Sequence, residues 1–231
     1  MPQIANVEPH RIPTGARAGR KRQAIVDAAR RLLLTEGFDV SMDAVAAEAG
    51  VSKVTVYNHF GTKQALFMGV VEAELDRALC EPVRLVTSKL AASEHLRDDL
   101  IAACRTWVAG LAAPEMLMLR NLVAGEMLRF PELGEAWHAH GPQRFHPVIA
   151  EALRRLTEAG QLAIDDVELA VLQLSGLVVS PNLVYGAYGR PLSKRLTERL
   201  VEAGVDMFLS FYQHQELAQD GTAATNMRKT T

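Results

Sequence analysis

Apolar residues recur along this chain at helical spacing. Ile25, Ala28, Ala29 and Leu32 fall at i, i+3, i+4 and i+7, predicting an amphipathic helix from Arg20 to Gly37. Asp27 and Arg31 form an i,i+4 pair on its other side. Ser41 then offers an N-cap oxygen, and Val45, Ala46 and Ala49 make a second, shorter stripe. Gly50 can take the left-handed conformation that ends that helix and turns the chain. Ser52 is a second cap, with Val51, Val56 and Phe60 spaced to face inward. Gly61-Thr62 breaks and recaps. Further helices are predicted over 62–80, 95–112, 114–129, 131–138, 142–159, 166–187 and 193–213, with Asp165 and Ser193 as caps. The breaks come from Pro82, Pro114, Pro131, Gly141-Pro142, Gly160 and Gly189-Arg190-Pro191. No hairpin dipeptide sits between alternating runs, so the expected fold class is all-α.

Helix, glycine turn, short helix over Ser41–Lys63 is the layout of a helix-turn-helix, which lays its second helix in the DNA major groove. With Val51, Val56 and Phe60 inside, Lys53, Val54, Thr55, Tyr57, Asn58 and His59 point elsewhere, a short set rich in hydrogen-bond donors. Lys63 stands in the first turn of the next helix, where a cation opposes the macrodipole. A docked phosphate would reverse that sign by meeting both the amides and the ammonium.

The segment resembles the TetR/AcrR family of transcriptional regulators. Gly50-Val51-Ser52, Thr55, Val56-Tyr57, His59-Phe60 and Lys63 carry the resemblance, preceded by the helix Arg20–Gly37 and Phe38. It covers roughly residues 17–66. The resemblance implies that Tyr57, His59 and Lys63 contact phosphates and that Lys53, Val54 and Thr55 face base edges. Ser41, Ser52, Asn58 and the basic run Arg20, Lys21 and Arg22 are further phosphate candidates. Some family members carry a basic or polar reading residue where this chain has Asp43, so no base contact is expected from that position. Farther on, Glu126, Arg129, Phe130, Pro131, Glu132 and Leu133 resemble the E-x-x-R-F-P-E-L stretch in the C-terminal domain of the AefR-type subgroup.

Charge adds an asymmetry. Residues 1–63 hold nine Lys/Arg against six Asp/Glu, and the remainder sixteen against twenty-one, within a whole-chain balance of −2. A basic head on an acidic body suits a protein that docks phosphate at one end. Residues 1–22 show no apolar period and read as a basic arm. The expected organisation is a disordered arm at 1–16, a three-helix DNA-binding domain at 17–63, a larger helical ligand-binding and dimerisation domain at 64–214, and a disordered tail at 215–231. A unit of about 50 residues buries little surface alone, so the head should lean on the helices C-terminal to it.

One recognition helix reads few base pairs, and two at 34–36 Å read two half-sites, so a homodimer on a palindromic duplex operator is expected. The last two long segments are the expected interface, through Val167, Leu174, Leu177, Val178, Val201, Val205, Phe208 and Tyr212. A pocket for a small, largely apolar effector is expected among Trp107, Met116, Met118, Trp137 and Phe145, with Arg120, Glu126, His138 and Arg144 as polar groups to orient it. This describes a ligand-responsive regulator, a repressor in the first instance.

Other chemistry finds little support. His138 and His140 are two apart and cannot share a helix face, and no cysteine is near His146, so no metal is expected. Cys80 and Cys104 read as reduced thiols. There is no phosphate-cradling glycine loop, nucleophile elbow or acid/base pair, so neither cofactor nor catalysis is expected. No run after Met1 reads as a secretory signal, and none approaches the ~20 apolar residues of a membrane span, so a cytoplasmic protein is expected. Two readings stay open on the residues alone: an adaptor of this fold acting through a protein partner, and a small-molecule carrier or enzyme on the helical body.

Overall fold

The computed structural model describes residues 13–90 and 93–213. The arm expected at 1–16, save its last four residues, and the whole tail at 215–231 lie outside them. Among the described residues the architecture is all-helical. In chain order come α1 (Ala16–Glu36), a single 3-10 turn (Gly37–Asp39), α2 (Met42–Glu48), α3 (Lys53–Phe60), α4 (Lys63–Ser88) and α5 (Leu96–Leu111). Next are α6 (Pro114–Glu126), α7 (Pro131–His140), α8 (Pro142–Glu158), α9 (Val167–Val178), α10 (Ser180–Ala187) and α11 (Lys194–Tyr212).

The described residues form two compact units, one of those up to Leu79 with Gly110–Arg144, the other of those in Cys80–Ala109 and from Phe145 to 213. The division expected at 63/64 lies at the start of α4, which carries the head's core onward, whereas the two units part within that helix, between Leu79 and Cys80.

In the first unit the stripe of α1 buries Ile25, Val26, Ala28, Ala29 and Leu33. Val45 of α2 and Val56 and Phe60 of α3 close over it. The head does lean on later helices: Phe67, Val71 and Leu75 of α4, Met116, Leu119 and Val123 of α6 and Leu133 of α7 join one core with it. Phe38 sits in the middle, its ring centroid 5.2 Å from Phe67 and 5.1 Å from Phe130. Polar ties reinforce α4. The nearly buried Glu74 meets Arg30 of α1 at 2.8 Å and Arg77 at 2.5 Å, and Asp76 pairs with Arg144.

Four boundaries differ from the pattern's expectation. Helix α1 starts at Ala16, so the basic run 17–22 is helical. Pro82 does not end α4, which continues to Ser88. Proline has no N–H for the carbonyl of Ala78 four residues back. That carbonyl lies so close to Gly110 that a Cβ there would collide with it. The segment 166–187 is two helices, broken ahead of Pro181. There the buried Asn182 donates to the Val178 carbonyl at 3.2 Å and accepts from Thr197 at 2.8 Å. Asp166, not Asp165, caps α9, accepting from the Leu169 amide at 3.0 Å.

In the second unit Trp107 of α5 meets Phe145 of α8 edge-on at 4.8 Å. Helices α9 and α11 pack closely because Gly204 has no side chain: a Cβ there would stand 2.9 Å from Val178 Cγ1 and 3.3 Å from Leu177 Cβ. Arg97 of α5 donates to both carboxylate oxygens of Asp206 of α11, at 2.6 and 3.0 Å. Among the described residues no single helix is long and apolar enough to cross a membrane.

Candidate nucleic-acid interface

Helices α2 and α3 begin on the expected caps. Ser41 Oγ accepts from the Ala44 amide at 3.1 Å, and Ser52 Oγ from the Thr55 amide at 3.2 Å. Gly50, at φ 64°, makes the turn between them. Val56 and Phe60 point into the core and fix the roll of α3. Lys53, Val54, Tyr57 and Asn58 are thereby left exposed and Thr55 half-buried. Val54 is 66% exposed.

His59 does not belong to the exposed set. It is 4% exposed, packed beside Phe60 with ring centroids 6.4 Å apart. Its position three residues after Val56 puts it on the edge of the buried face.

The basic residues divide. Arg20 is exposed, whereas Arg22 turns inward, its guanidinium 5.1 Å from the Phe60 ring and 3.8 Å from Glu72. Lys63 lies over the Phe38 ring at 4.6 Å, a cation–π contact that partly offsets its unfavourable place at the start of α4. Thr62 caps that helix, accepting from the Ala65 amide at 3.1 Å. Lys21 lines a cleft of about 310 Å³ with Pro13, Thr14, Arg17, Ala18, Thr55, Asn58 and His59. The start of α1 and the end of α3 thus present two cations and an amide to one hollow, suited to an anion. Arg17 belongs to the basic arm of residues 1–22 and is not among the named phosphate candidates. Its place in the same basic run, four residues before Lys21, is the signal that could have found it.

Asp43 has a specific neighbour. Its carboxylate lies 2.8 and 3.0 Å from Lys53 Nζ, joining α2 to the first residue of α3. The hydrogen bond from Lys53 to Asp43 holds the ammonium above its ordinary pKa.

The residues expected to line a pocket fall in both units. Met116 is buried in the first unit's core and Trp137 packs against it half-buried. In that unit Met118 and His138 are exposed or partly so, Arg120 and Glu126 half-buried, and Arg144 exposed on Asp76. Trp107 and Phe145 are buried together in the second.

The expected dimer stripe is corrected. Leu174, Val178, Val201, Val205, Phe208 and Tyr212 are buried within the chain itself, and Val167 and Leu177 are half-buried. The apolar side chains left to solvent lie on other faces: Leu169 and Leu172 of α9, and Leu196, Met207 and Phe211 of α11. A helix apolar on most sides carries two stripes, and its sequence does not say which one its own chain covers.

Fold and site together define a helix-turn-helix DNA-binding protein joined to a helical body. Residues 25–70 match the family model for bacterial regulatory proteins of the tetR family, and residues 98–214 match that of the AefR-like transcriptional repressor C-terminal domain. The chain belongs to the TetR family of transcriptional regulators. The crystal structure of a TetR-family regulator from Mesorhizobium loti is 30% identical, covers 87% of this chain and all of its own, and superposes with a TM-score of 0.81. The flavonoid-responsive regulator FrrA is 28% identical over 85% of this chain and 99% of its own, with a TM-score of 0.67. The regulator BetI of Rhizobium meliloti is 26% identical over 199 residues, 79% of this chain and 88% of its own length.

Proposed function

We propose that this regulator is a repressor that binds a palindromic operator as a homodimer and is released by a small, largely apolar effector. The observation that carries the reading is the outer face of α3, where Lys53, Val54, Tyr57 and Asn58 stand free of the core beside the cationic cleft. Lys53, Val54 and Thr55 read base edges. Tyr57, Asn58, Lys63, Lys21, Arg20 and Arg17 hold phosphates. Ser41 and Ser52 use their oxygens as caps, and a serine hydroxyl that accepts can still donate its proton to a phosphate.

The dimer reading rests on the solvent-facing stripes. Leu196, Met207 and Phe211 continue one face of α11, and Leu169 and Leu172 one face of α9. Two adjacent helices with apolar outer faces make half of a four-helix bundle, which a second copy completes.

FrrA is flavonoid-responsive, and we carry over to this chain only responsiveness to an apolar small molecule. The aromatic pair Trp107 and Phe145 is our candidate contact. The shared core of α6, α7 and the head supports coupling, since α6 and α7 cannot shift without disturbing Phe38. A full swing from 99% competent to 99% incompetent needs about 5.5 kcal/mol of differential binding.

The test is fluorescence anisotropy of the purified protein on labelled genomic duplexes at low salt. Retention on a subset that survives a mixed-sequence competitor supports the proposal. Equal binding to all duplexes, or none, refutes it.

A further inference from the structure

Lys53 occupies the first position of α3, the end of a recognition helix that meets base edges. Its ammonium is held in a two-oxygen grip by Asp43, with the Tyr57 ring 6.0 Å from it. The fold has little use for this pair. Both side chains are more than half exposed, where ion pairs add next to nothing to stability. Ser41 already caps α2, which leaves Asp43 only the small macrodipole contribution of an acid in the first turn.

What the pair does control is the destination of a flexible cation on the DNA-facing surface. An unrestrained lysine there takes the nearest phosphate and strengthens binding to every sequence, releasing a counterion as it does so. Held by Asp43, Lys53 gains little from a phosphate, because the move leaves a bare carboxylate facing a polyanion. An acceptor pair on a base edge, such as O6 and N7 of guanine, lies in the groove and offers a lysine a second destination.

We propose that Asp43 is a specificity-determining residue, a local anion that keeps Lys53 off the phosphates so that its charge reads bases. The proposal rests on the assignment of α3 as the reading helix.

The experiment compares wild type, Asp43→Asn, Lys53→Gln and the double variant on two duplexes, over a salt series. One duplex is enriched by the wild-type protein from a random-sequence pool, and the other is a scrambled version of the same composition. Asp43→Asn is expected to tighten binding to the scrambled duplex about fivefold, the upper end for releasing an exposed pair. It should steepen the salt slope there by about 0.9, one extra phosphate contact. Affinity for the enriched duplex should change less, so the discrimination ratio falls. In the Lys53→Gln background the Asp43 change should leave the ratio alone. Equal tightening on both duplexes would reduce Asp43 to general charge and overturn the proposal. So would a fall in ratio that persists without Lys53, or unchanged affinity of Asp43→Asn for both duplexes. If the wild type enriches no sequence at all, the assignment of α3 fails and this proposal with it, an outcome distinct from the other three.

Discussion

Gly204 sets the distance between α9 and α11, and replacing it with alanine tests that packing. Alanine in a helix interior is favoured over glycine by about 1 kcal/mol. Here the added methyl would stand 2.9 Å from Val178 Cγ1 and 3.3 Å from Leu177 Cβ. Val178 is fully buried and β-branched, so it cannot swing aside, and overpacking of this kind costs about 1–3 kcal/mol. The two effects oppose, leaving Gly204→Ala destabilised by about 0–2 kcal/mol. Gly125 of α6 is the control, since a Cβ there meets nothing within 4 Å. Gly125→Ala keeps the helix-propensity gain without the clash. For a chain of this size 1 kcal/mol moves Tm by about 2–4 °C. Gly204→Ala should therefore melt at least about 2 °C below Gly125→Ala in calorimetry at one fixed protein concentration. Equal upward shifts in the two variants would refute the close approach of α9 and α11.

Three further outcomes rest on named side chains. Tyr57→Phe or Lys63→Ala should weaken binding to all duplexes alike, with Lys63→Ala flattening the salt slope by about 0.9; an altered base preference with the slope intact would contradict the phosphate assignment. Leu172→Glu with Met207→Glu places carboxylates on the exposed stripes of α9 and α11 and should convert a dimer to monomers in sedimentation, so an unchanged mass would remove that surface from the interface. Burial pushes the Cys104 thiol up to about 12, so its thiolate is scarce below that pH and grows only as pH approaches it, while Cys80 is exposed. Iodoacetamide at pH 8 should add one label to the native chain and two in denaturant, and rapid double labelling of the native chain would contradict the burial of Cys104.

The local signals in the sequence are the most legible. Ser41, Ser52 and Ser193 cap their helices as their positions suggest. Val56 and Phe60 point inward, which leaves Lys53 and Val54 outside. Residues whose fate depends on distant partners are not legible. Arg22 and Lys63 look like free cations in the sequence, yet Phe60 and Phe38 lie beneath them, and nothing in local spacing announces an aromatic face brought in by another turn of chain. His59 sits at the margin of a buried face, where a small rotation of the helix decides exposure. Pro82 signals a break, but the helix continues through it, past the neighbouring Gly110 at Ala78. On α9, apolar on most sides, the covered stripe is set by α11 rather than by α9 itself. Asp43 reads locally as a lost base contact; only its position across from Lys53 gives it a partner.

On the proposed function, the outer face of α3 reads a two-fold symmetric DNA site. Selection from a pool of random duplexes about 40 base pairs long, about four helical turns, tests it most directly. An inverted repeat with half-site centres one helical turn or a small multiple apart should be enriched, and lost when Lys53, Val54 and Thr55 are replaced together. Enrichment of a sequence without two-fold symmetry, of nothing, or of the same repeat by the triple variant would contradict it.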